Sequence, residues 1–194
     1  MRHDPPWSVM SSTHGFAPLA ADSARVLVLG TLPSQASVAR GEYYAHPHNG
    51  FWPIMDALFG VGQAPQVAYA ERQRRLIAAG VALWDVCQAA HRPGSLDASI
   101  RADSIVANDV PAFLRAHPQL RLIGFNGATA GQLFRRLIWP QLSTAQRQIA
   151  CCTLPSTSPA HATLRRADKL ARWQVLREAC QADGPGVGTG QPAS

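Results

Sequence analysis

Four short apolar runs, each closed by a loop-forming residue, set the tightest limit on how this chain can fold. Residues 26–29 read VLVL and end at Gly30, and Gly80 to Cys87 contains VALWDV. Leu120 to Gly127 reads LRLIGFNG, and Gln148 to Leu154 reads QIACCTL. Runs this short, with no polar alternation, suit strands buried on both faces. Between them lie helical stretches: FWPIMDALFG from Phe51, YAERQRRLIAAG from Tyr69 and ATAGQLFRRLI from Ala128. The alternation predicts an α/β fold, a three-layer sandwich whose central four-stranded, parallel, twisted sheet is flanked by helices through right-handed crossovers. A last helix is expected from Ser158, a capping hydroxyl followed by Pro159, to about Cys180. On it Arg165, Lys169 and Arg172 share one face, read as solvated, opposite Leu170 and Trp173.

A chain of 194 residues, 46% hydrophobic, is enough for one sizeable core. The expected organisation is a flexible segment over 1–15, one domain over 16–182, and a disordered tail over 183–194 that has almost nothing to bury. No apolar run marks a secretory leader or a membrane span, so a cytoplasmic protein, monomeric and with no membrane partner, is expected. Cys87, Cys151, Cys152 and Cys180 lack both metal-ligand spacing and a disulfide framework, and Cys151 and Cys152 read as small core residues of one strand. No metal and no cofactor are expected.

The formal charge is +6, which favours a polyanionic partner such as DNA. Lys169 is the only lysine, so arginine carries nearly all the positive charge. Arginine suits phosphate through its planar fork, although a GC-rich coding sequence would supply it by default.

In open α/β sheets, ligands bind beyond the carboxyl ends of the strands. The loop after the first strand, residues 30–52, is dense in glycine, proline, aromatics and histidine. The loop after the fourth, residues 154–162, reads LPSTSPAHA. Hydroxyls and free N–H groups at a helix start would make the fourth loop either an anion site or simply a well-capped helix.

Taken together, Gly30-Thr-Leu-Pro33, the YAHPHNGFW segment of residues 44–52 and the Pro-Ser-Thr-Ser-Pro loop resemble the signature segments of the uracil-DNA glycosylase superfamily. The nearest likeness is to its hypoxanthine-DNA glycosylase branch, with the mismatch-specific uracil-DNA glycosylases next. ALWDVC at 82–87 and RPGSLD at 92–97 also look like that branch, and the resemblance runs from Phe16 to Cys180. It implies a base pocket including Gly30, Leu32, Tyr44, His46 and Asp85. It also implies DNA contacts from Pro155, Ser156, Thr157, Ser158 and His161, the last as the wedge, because Ala160 is too small. By the resemblance Tyr44 stacks on the extruded base, with Tyr43 as the alternative. Many members carry Asp or Asn at the position of Leu32; in the hypoxanthine branch the HPxN asparagine, here Asn49, takes over as the catalytic residue that holds the water. Asn49 is also placed to cap the helix near Phe51. Some members hold an iron–sulfur cluster on four cysteines, for which these spacings offer no cage.

Asp85 ends the second strand. An acceptor-only carboxylate bonds the imide-like N–H of uracil or hypoxanthine and repels the bare ring nitrogen of cytosine or adenine, so it would select deaminated bases. Capping a loop or pairing with Arg92 are its other uses. His46 and His48 could donate to the leaving base or to phosphate, or be merely solvated. The expected activity is hydrolysis of the N-glycosidic bond of a deaminated base flipped from duplex or single-stranded DNA. Lys169, away from the expected cleft, would offer no amine for strand cleavage. Three rivals are weaker: a nucleotide-binding enzyme lacks its glycine turn in GTLPSQ, a non-catalytic DNA-binding relative rests on Leu32, and a thiol hydrolase would need nucleophiles from within strands.

Overall fold

Each of the four apolar runs is a strand of one parallel sheet. The computed structural model describes residues 12–161 and 164–182. Its strands are β1 (Thr13–His14), β2 (Val26–Gly30), β3 (Val81–Asp85), β4 (Cys87–Ala90), β5 (Val106–Ala107), β6 (Leu122–Asn126) and β7 (Ala150–Leu154). The parallel sheet has the order β3-β2-β6-β7, with Gly30 paired to Asp85 and Asn126 to Leu154. Those pairings bring Gly30, Asp85, Asn126 and Leu154 to one sheet edge, where the chemistry of such folds collects.

Two cores, one on each face, make the three layers. Leu27, Leu29, Trp84, Ile123 and Phe125 pack against α4 (Val110–Ala116), α5 (Ala128–Leu133) and the π-helical turn Phe134–Ile138 that continues α5. Val26, Val28, Leu83 and Leu122 pack against α2 (Phe51–Phe59), α3 (Tyr69–Ala78) and α6 (Arg166–Gln181). A Cβ at Gly124 would lie 3.0 Å from Leu154 and 3.1 Å from Leu176, so glycine lets α6 sit close on β6. The long first loop contains a further short helix, α1 (Gln35–Arg40), capped by Ser34 Oγ, which accepts from Ser37 N at 3.2 Å.

Several local expectations are corrected. The second run does not stay in one sheet: after Asp85 the chain turns at Val86, and β4 joins an antiparallel sheet of order β1-β4-β5. β1 places Thr13–His14, within the 1–15 stretch, in this second sheet. β7 is an edge strand with little packed over it, and Cys151 is exposed and Cys152 half-buried rather than core residues. The last helix starts at Arg166, with no side-chain cap on Arg165, not at Ser158. The tail expected to be disordered lies outside the described residues. Among the described residues, no helix is long and apolar enough to cross a membrane.

Candidate active site

A cavity opens at the carboxyl edge of the parallel sheet. Its wall comes from four places: the first loop, the end of β3, the segment 92–97, and Asn126 together with the fourth loop. Gly30, Leu32, Tyr44, Asn49, Asp85, Ser156, Thr157, Ser158 and His161, all read from the sequence as site residues, line it together. His46 and Pro155 do not. His46 Nδ1 accepts from the His48 backbone N–H at 3.2 Å, which keeps its ring beside His48. Pro155 borders a neighbouring groove with Gly127, Lys169 and Arg172, and its carbonyl accepts from Trp173 Nε1 at 3.0 Å.

At the inner end sit Gly30, Asp85 and Tyr44. A Cβ on residue 30 would overlap Asp85 Oδ1 and lie 2.9 Å from Tyr44 Oη, so glycine is what lets both groups reach this point. Asp85 is 3% exposed, and its Oδ2 has no hydrogen-bond partner. Burial, helped by the negative charge of Asp97 and partly offset by Arg92, pushes its carboxyl up to about 7. A buried polar atom without a partner needs a reason, and a ligand that supplies an N–H is one.

Arg92 does not ion-pair with Asp85. Its guanidinium donates to the carbonyls of Leu32, at 3.1 Å, and Pro33, and lies 3.5 Å from Asp97 Oδ1. Thr31 Oγ1 donates to Asp97 Oδ2 at 2.8 Å. This buried network pins the turn after β2 to the 92–97 segment. It escaped sequence reasoning because its partners lie about sixty positions apart and share no local pattern.

The two tyrosines separate cleanly. Tyr43 turns its hydroxyl to the Ala17 carbonyl at 3.2 Å and packs edge-on against Phe16. Tyr44 is held at φ 56°, left-handed backbone that is rare and costly for a bulky residue, and its ring stacks on Phe51 at 4.1 Å between centroids. Burial raises the pKa of its hydroxyl, which stays protonated.

Asn49 borders the cavity and stands one residue before the N-cap of α2, which is Gly50. Its Oδ1 accepts from Phe51 N at 3.0 Å at the start of α2. A carbonyl oxygen has two lone pairs, so that bond leaves one for a water. Asn126, which sequence reading passed over as a strand end, joins two walls: its Nδ2 donates to Thr157 Oγ1 and its Oδ1 accepts from Thr157 N, each at 2.9 Å. Gly50 N donates to Thr157 O at 2.9 Å, tying the first loop to the fourth.

The fourth loop is not a helix start, so neither of the uses read for a helix N-terminus at Ser158, an anion site or a simple cap, is met there in that form. Instead Ser156 Oγ accepts from Ser158 N at 3.2 Å, and Ser158 Oγ from Ala160 N at 3.3 Å, two local turns made by short hydroxyl side chains. Lys169 is nearer than expected. Its ammonium donates to Ser156 O and His161 O, both at 2.7 Å, and so holds the loop from behind without lining the cavity.

Comparisons with known proteins agree with this architecture. A solution NMR structure from Methanosarcina acetivorans, described provisionally as a uracil DNA glycosylase, matches with a TM-score of 0.68 and 30% identity, covering 86% of this chain and 99% of that one. Two proteins named hypoxanthine DNA glycosylase, from Methanosarcina acetivorans and Methanosarcina barkeri, are 36% and 32% identical over 118 residues, which is 61% of this chain and 73% of each relative. The family profile of the uracil DNA glycosylase superfamily matches residues 17–178. With that match spanning most of its length, the chain belongs to the uracil DNA glycosylase superfamily.

Proposed function

We propose that this protein is a monofunctional DNA glycosylase that extrudes a deaminated base, hypoxanthine first, and hydrolyses its N-glycosidic bond to leave an abasic site for base excision repair. The observation that carries the reading is the buried Asp85 carboxylate at the inner end of the cavity, whose Oδ2 has no hydrogen-bond partner. Ionised, it accepts the N–H of hypoxanthine or uracil and repels the lone pair that adenine or cytosine presents in its place.

The remaining roles follow the geometry. Tyr44, backed on one face by Phe51, offers the other face to the flipped base. Asn49 holds a water against the anomeric carbon. As the bond to the base breaks, the sugar becomes oxocarbenium-like, the water oxygen bonds to it, and the base leaves with a proton. Asn49 is no general base, and positioning is its contribution. Ser156, Thr157, Ser158 and His161 face the DNA, whose backbone a chain of net charge +6 attracts. Lys169, occupied by two carbonyls outside the cavity, forms no Schiff base, so the strand stays intact until alkali is added. The enzyme works as a monomer in the cytoplasm.

The test is alkali-revealed cleavage of labelled duplexes with a single hypoxanthine, uracil or xanthine. Cleavage at hypoxanthine by wild type and its loss in Asn49→Ala is the expected result. Retention on DNA with no product from any duplex would instead make the chain a non-catalytic DNA-binding relative.

A further inference from the structure

Extruding a base leaves a hole in the duplex, and enzymes and architectural proteins that unstack DNA commonly fill such gaps with an apolar side chain. On the fourth loop, Ala160 is small and His161 polar. The 92–97 segment, another part of the wall, is different. Leu96 is 57% exposed, and of the three large hydrophobic side chains exposed among the described residues it alone borders the cavity.

Leu96 is also held firmly from both sides. The preceding Ser95 Oγ accepts from Gln35 N at 3.1 Å, at the start of α1. The following Asp97 accepts from Thr31 and lies beside Arg92, whose side chain is almost wholly buried. An exposed leucine on a loose loop would need no explanation. This one stands on an anchored tip at the mouth of a cavity whose inner end is polar.

We propose that Leu96 is the wedge of this glycosylase, entering the base stack from the 92–97 segment to occupy the space vacated by the flipped nucleotide. The inference rests on the glycosylase reading above. In that arrangement the base enters between Tyr44 and Asp85 while Leu96 keeps the neighbouring pairs apart. A gap lined by base faces is apolar, which favours a leucyl side chain over an imidazole.

The experiment compares Leu96→Ala, Leu96→Met and wild type in single-turnover excision of hypoxanthine from a duplex and from the same strand unpaired. It adds the fluorescence of 2-aminopurine placed next to the lesion as a readout of unstacking. We expect Leu96→Ala to slow duplex excision by about tenfold, given the cost of unstacking that a wedge offsets. Single-strand excision should stay within about twofold, and Leu96→Met should restore the duplex rate. In a duplex the 2-aminopurine enhancement should fall with Leu96→Ala, a readout that serves equally if single strands are poor substrates. Wild-type duplex rates and fluorescence in Leu96→Ala would overturn the wedge, as would equal losses on both substrates. A wild type that releases no base from any DNA would instead overturn the glycosylase reading, and the wedge with it.

Discussion

The two loops that close the cavity are built on opposite terms. The first, from Gly30 to Gly50, is half swallowed by the protein: Tyr43 and Leu32 are buried, Tyr44 is held in left-handed backbone, and the Leu32 and Pro33 carbonyls are gripped by a buried arginine. The fourth, from Pro155 to His161, buries only Thr157, which Asn126 and the Gly50 N–H hold, and exposes Ala160 and His161; three more of its carbonyls are held, two by the Lys169 ammonium and one by the Trp173 indole. The contrast matches the tasks proposed for them. Reading a base requires groups fixed to fractions of an ångström, whereas following a phosphate backbone requires exposed donors on a loop that can adjust.

That contrast can be broken at several points, the largest effect first. Asp85 has a folded-state carboxyl at about 7 against an ordinary value of 3.8. Because the shift is upward, its cost to stability is absent below the ordinary value, grows as pH rises towards 7, and levels off above. Asp85→Asn should therefore gain on wild type across that window, by on the order of 4 kcal/mol at about 1.4 kcal/mol per unit. Chemical denaturation of both proteins at pH 4 and pH 8 measures it, and parallel curves would show that Asp85 is not the strained group. The same variant should lose the acidic limb of the excision profile and discriminate less against normal bases.

Asn49→Ala should lower base release by about 100-fold, or roughly 2.7 kcal/mol, with binding to an abasic duplex nearly intact. Unchanged turnover would remove it from the mechanism. Tyr44→Ala should weaken flipping by about 1–3 kcal/mol, seen as reduced 2-aminopurine fluorescence; no loss would return the stacking role to Tyr43.

Lys169→Met is the mildest change and bears most directly on the loop contrast. Losing one cationic clamp should raise amide hydrogen exchange at Ser158, Ala160 and His161 and weaken DNA binding by about tenfold, while the rate at saturating DNA holds. Weaker binding with unaltered exchange would make Lys169 a direct phosphate contact instead.

The sheet was legible because all four strands are written as contiguous apolar runs: β2, β3 and β6 are buried on both faces, while β7 is such a run although most of it is exposed. The second sheet was not, since Thr13–His14 and Val106–Ala107 are two-residue strands with no period to detect. Ser158-Pro159 carries a helix-start signal, yet its hydroxyl closes a turn on Ala160 and the helix begins at Arg166 without a side-chain cap. In the site, Gly30 and Asp85, at the ends of β2 and β3, and Asn49, just before α2, were named from the sequence and line the cavity. Arg92, Asp97 and Asn126 were missed because their meaning lies in partners 31 to 66 residues away. Leu96 was missed for another reason: exposure belongs to the folded surface, and a single leucine in a polar loop carries no trace of it in sequence.

The central claim is tested most directly by incubating wild-type and Asn49→Ala protein with a labelled duplex bearing one hypoxanthine, then treating with alkali. The account predicts a cleaved strand with wild type, none before alkali, and almost none with the variant. Equal cleavage by both proteins, or none by either with binding retained, would contradict it.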